Sequence, residues 1–73
     1  MDYWKNWTYR RNGVACNLEF FANSYDHAER TLRYAPIPEP LDCAIVPAYG
    51  GGYVATIYAP LWLAYHLGIE ESK

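Results

Sequence analysis

Cys16, Cys43, His27 and His66 are the only side chains in this 73-residue chain that could pair a thiol nucleophile with an imidazole base. Such a pair works only within hydrogen-bond reach and beside an oxyanion donor. Alternation along the strands expected around them turns both cysteines inward, while His27 falls in an exposed first helical turn. The expectation is two inert, reduced core thiols and no catalytic residue. The same four residues could be read as a Cys2His2 zinc set, but structural zinc sites draw ligands in close pairs such as C-x₂₋₄-C. Here every ligand stands alone, and neither metal nor cofactor is expected. Gly50-Gly51-Gly52 has no Lys-Ser/Thr after it and opens no helix, so it reads as a hairpin loop rather than a phosphate cradle.

Binding chemistry is better supplied. Arg10 and Arg11, with Lys5 and Trp7 nearby, could touch a phosphate backbone or stack a base. Yet the six basic residues are scattered and the net charge is −2, so no cationic stripe exists and nucleic acid is not favoured as partner. Eight acidic residues against six basic ones are also too balanced to imitate a polyanion by charge alone. Aromatic residues make up 18% of the chain, with eight Tyr and three Trp. A chain this short buries only roughly 60% of its unfolded surface, and large rings are what stabilises it. Thirteen rings are nonetheless many for one small core, and Tyr and Trp are the residues that anchor interfaces.

The elements that position these residues follow from turn and periodicity signals. Asn12-Gly13 between Tyr3–Arg11 and Val14–Ala22 predicts a hairpin with a type I′ turn. That turn pairs Tyr9 with Cys16, Trp7 with Leu18 and Lys5 with Phe20 on one face. The other face carries Arg10, Ala15, Thr8, Asn17, Asn6 and Glu19, with Trp4 opposite Phe21. Ser24 caps a helix over Tyr25–Ala35 with Tyr25, Ala28, Leu32 and Ala35 on its packed stripe, and Pro36 ends it. Pro36-Ile37-Pro38-Glu39-Pro40 is a stiff connector. Leu41–Tyr49 and Tyr53–Ala59 form a second hairpin pairing Tyr49 with Tyr53 and Ile45 with Ile57, and Pro47 marks its strand as an edge or as bulged there. A short helix runs from Pro60 to Gly68, apolar nearly all round. The order is ββαββα: one α+β domain over residues 1–73, an antiparallel-hairpin sheet of about four strands with a central helix and a short C-terminal helix.

Once the first helix covers one sheet face, the far face still carries Trp4, Phe21, Val46, Ala48, and Val54 or Ile57. Either the C-terminal helix folds across it or another chain does, a homodimer partner or a target. In the second case Trp4, Phe21, Tyr58, Trp62 and Tyr65 are the anchors, with Arg10 and Arg11 beside them. Met1-Asp2-Tyr3-Trp4-Lys5 opens no signal peptide, and the apolar run Tyr53–Leu67 falls short of a membrane span, so a cytoplasmic protein off the membrane is expected.

In general build, being very short, acidic, aromatic-rich and α+β without catalytic residues, the chain resembles the small phage-encoded anti-CRISPR proteins. The resemblance implies stoichiometric binding to a surveillance complex or nuclease of a bacterial defence system. The hairpin followed by Ser24-Tyr25-Asp26-His27-Ala28-Glu29 also resembles small antitoxins. A non-enzymatic protein-binding module is the leading expectation, and a small nucleic-acid-binding or antitoxin-like regulator the alternative.

Overall fold

The computed structural model describes residues 3–72. Its first element departs from the sequence expectation. Tyr3–Asn6 is a turn of 3-10 helix rather than the start of a strand, closed by Trp7 N–H donating to the Trp4 carbonyl. That turn folds Trp4 and Trp7 inward, edge to face with centroids 5.0 Å apart, and Trp7 stacks obliquely on Phe20. Trp4 therefore does not lie opposite Phe21. It is 6% exposed, within the core.

The strands are β1 (Thr8–Asn12), β2 (Ala15–Ala22), β3 (Cys43–Pro47), β4 (Tyr53–Pro60) and β5 (Glu70–Glu71), and the helices α1 (Tyr25–Arg33) and α2 (Leu61–Leu67). They make a single five-stranded mixed sheet in the order β3-β4-β2-β1-β5, with β5 parallel to β1. The first hairpin is shifted by two residues from its expected register: Tyr9 pairs with Leu18, Arg11 with Cys16 and Asn12 with Ala15. The turn is thus Gly13-Val14. Gly13 has φ +67° and no described non-glycine residue has positive φ, which suits a type II′ turn with glycine first. A type I′ turn would have put Asn12 at positive φ; the II′ turn asks that only of Gly13.

The second hairpin shifts by two as well, pairing Ile45 with Ala55 and Pro47 with Tyr53. Ala48 N–H donates to the Gly52 carbonyl at 2.9 Å, so the loop is Tyr49-Gly50-Gly51. Gly52 lies against β2: a Cβ there would meet the Ala22 carbonyl oxygen at 2.6 Å. As Pro47 suggested, β3 is an edge strand. The two hairpins join through β4 and β2, from Ala15 against Pro60 to Ala22 against Tyr53.

Ser24 caps α1 by accepting from His27 N–H at 3.1 Å, and Glu29–Arg33 pair at 3.7 Å along its outer side. The helix presses Ala28 onto the sheet. It ends at Arg33, before Ala35 and Pro36. The C-terminal helix departs from expectation too. It is not covered all round: Leu63 and Ala64 are buried while Trp62, Tyr65 and His66 are exposed. It packs on the same sheet face as α1, through Leu63, Ala64 and the Tyr65 ring against Tyr9. Gly68 (φ +73°) reverses the chain in a Schellman-type cap, Ile69 N–H reaching the Ala64 carbonyl at 3.1 Å with Ile69 buried behind it. That reversal sends Glu70–Glu71 along β1, where Ser72 N–H donates to the Tyr9 carbonyl.

Candidate protein-docking face

Register and side-chain alternation divide the sheet cleanly. Tyr9, Cys16, Leu18, Phe20, Ala22, Ala55, Ile57 and Ala59 point to the side on which both helices, the 3-10 turn and the connector residues Ile37 and Leu41 pack. Ile57 thus belongs to the core, not to the far face. No described element covers the other side.

That open face is laid out in four rows across the strands. Asn12, Ala15 and Pro60 form the first; Arg10, Asn17 and Tyr58 the second; Glu70, Thr8, Glu19, Thr56 and Ala44 the third; Phe21, Val54 and Val46 the fourth. Phe21 is 62% exposed, Tyr58 46% and Val46 43%. Val54 and Thr56, flanked by strands on both sides, are buried without a helix above them. At the centre, Arg10 Nη2 lies 3.5 Å from Glu19 Oε1. That oxygen is sealed from solvent yet accepts no hydrogen bond, so the contact is an ion pair of incomplete geometry. Glu19 was legible as a member of this face, but nothing in the sequence marked its carboxylate as under-satisfied.

The seven residues expected to meet a partner fall in three places. Phe21, Tyr58 and Arg10 lie together on the open face. Trp62, Tyr65 and Arg11 lie on the helix side. There Trp62 stands against His66 with centroids 6.5 Å apart, and Arg11 Nη2 donates to the Tyr65 hydroxyl. This last bond, with the Tyr9 ring edge-on to Tyr65 at 6.0 Å, fastens α2 to the first hairpin. Trp4 is in the core.

The thiols are placed differently from each other. Cys16 is 1% exposed and burial pushes its pKa up. Cys43 is in register with Ile57 on the core side, as expected, but is exposed there because it opens the outermost strand of the sheet. Partial burial and then the Asp42 carboxylate raise its pKa, and its Sγ donates to the Leu41 carbonyl at 3.4 Å. Among the described residues no three His, Cys, Asp or Glu side chains gather as metal ligands would, and no helix is long and apolar enough to cross a membrane. A shallow hollow of about 390 Å³ between Tyr3, His27, Arg30, Thr31 and Tyr34 flanks α1, with Tyr3 donating to the Thr31 carbonyl in its wall. No protein-family model, curated protein or solved structure matches this chain.

Proposed function

We propose that this protein is a non-enzymatic binding module that attaches stoichiometrically to a protein target through its open sheet face. The leading biological reading is inhibition of a bacterial defence complex such as CRISPR-Cas, in the host cytoplasm. The observation that carries the binding role is the coincidence of Phe21, Tyr58 and Val46 on one uncovered, rigidly hydrogen-bonded surface. Two exposed rings fixed by a central sheet cost little conformational entropy to bury, the property that makes aromatic residues binding hot spots. The defence-inhibitor reading rests on the resemblance in size, charge and build.

The test is a plaque assay in cells expressing the chain together with a CRISPR-Cas system programmed against the challenging phage. Restored plaquing is expected, and its loss in Phe21→Ala and Tyr58→Ala variants whose melting temperatures match the parent. Full protection of the cells against phage across several CRISPR-Cas types would discard the inhibitor reading. A gel shift with bare DNA or RNA whose affinity falls steeply with salt would favour the regulator alternative instead.

A further inference from the structure

The open face is complementary to itself, and we propose that a second copy of this chain covers it, making the free protein a face-to-face two-fold dimer. The inference rests on reading that face as a protein-docking surface, and it names the occupant in the absence of a target.

The argument comes from the order of the rows. In an isologous contact each row meets another row of the same surface, so the pattern must match its own reversal. Place the two-fold axis across the strands, between the row Arg10–Asn17–Tyr58 and the row Glu70–Thr8–Glu19–Thr56–Ala44. The first of these then lies over the second of the partner copy, and Arg10 of each chain comes beside Glu19 of the other. The outermost rows exchange in the same way. Phe21 lies over Ala15 and Val54 over Pro60, bulky side chains against small or flat ones. A single axis thus opposes unlike charges and fits large to small in both halves.

The charges are disposed for this exchange: the Arg10 side chain is 65% exposed, so its guanidinium presents N–H donors outward toward the Glu19 carboxylate of the second copy.

Size sets the expected strength. Strands about 4.8 Å apart and rows about 6.7 Å apart give a face of roughly 500 Å². Covering two copies removes on the order of 1000 Å² in total, the lower bound for specific interfaces. Self-association at micromolar concentrations and above is therefore expected, weak enough for a target to displace one copy.

Sedimentation equilibrium from about 5 µM to about 500 µM tests this, the upper end lying well above the expected dissociation constant. The expected mass approaches twice the 8.4 kDa of the chain at the top of that range and falls on dilution. Phe21→Glu should raise the dissociation constant at least about tenfold without changing the melting temperature of the dilute, monomeric protein. Arg10→Glu and Glu19→Arg should each weaken the dimer, and combining them should restore it, because the swapped pair meets itself across the axis. A monomer throughout, or a dimer indifferent to Phe21→Glu and to the charge swap, overturns the proposal. The plaque assay separates this from the docking reading. A monomer whose Phe21→Ala variant still loses inhibition overturns the dimer alone; a Phe21-dependent dimer with inhibition unaffected upholds the dimer and removes the target-docking role.

Discussion

Leu18 and Ile57 face each other across the β2–β4 seam with no solvent exposure. Leu18→Ala should therefore cost about 3 kcal/mol through lost burial plus the cavity left behind. A urea melt measures it, and a loss under about 1 kcal/mol would show that the seam repacks. Ionisation acts at the same scale. Burial first, and then the hydrogen bond to Tyr65, raise the Tyr9 phenol above its usual value; burial alone raises Tyr3. Below about pH 10 both phenols are protonated in folded and unfolded chains alike and their contribution to stability is full. Above it the unfolded chain loses its protons first, so the melting temperature should fall as pH rises through the folded values. Tyr9→Phe should flatten that decline. The thiols make a third test. Cys43 alone should react with a disulfide probe in the native protein, slowed at neutral pH by its raised pKa, and Cys43→Ser should abolish the signal. Reaction of Cys16 before unfolding would contradict its burial.

At the scale of elements, much was legible because side-chain alternation survives errors of two. Both hairpin registers were read two residues out, yet Tyr9, Cys16, Leu18 and Phe20 still share the core face and Arg10, Asn17, Glu19 and Phe21 the open one. A slip of one would have exchanged the faces; a slip of two moves pairs along them. What decided the registers was turn chemistry invisible to a motif. Gly13 alone takes positive φ in the first turn, and Gly52 is tied to Ala48 and pressed on the Ala22 carbonyl in the second. These two glycines should respond differently. Gly13→Ala meets open space and bears only the strain of its φ, about 1 kcal/mol. Gly52→Ala adds a clash with backbone and should cost distinctly more in a thermal melt. Equal losses would mean that the β2 end gives way. The α1 cap was readable because Ser24 acts locally, whereas the helix ends at Arg33, ahead of the stop expected at Pro36; Ser24→Ala should cost about 1 kcal/mol.

Contacts across the whole molecule were the least legible, because nothing local to Tyr3–Asn6 or Leu61–Leu67 says which side of a sheet each will choose. Trp4 was expected on the open face and folds under the sheet instead, since a 3-10 turn brings it onto Trp7 and the other rings. The C-terminal helix joins it there, drawn by the Arg11–Tyr65 bond and by Ile69 behind Gly68. Both choices leave one sheet face to the core and one to the outside. They also bind the two hairpin–helix units into one body, because β2 and β4 form the sheet's centre and α2 contacts both of them. Neither unit keeps that single shared core without the other. Unfolding should then be a single cooperative event, with a urea m-value of about 1 kcal/mol/M for a chain of this length. Far-UV circular dichroism follows all the elements, whereas tryptophan fluorescence reports chiefly on buried Trp4 and Trp7 beside the first hairpin. The two transitions should coincide in the parent protein. Ile57→Ala, placed in the second hairpin, should lower both midpoints by the same amount. Separation of the curves, with fluorescence keeping its midpoint, would show that the first hairpin and its tryptophans hold together without β4, and the sheet's centre would no longer be what makes the fold.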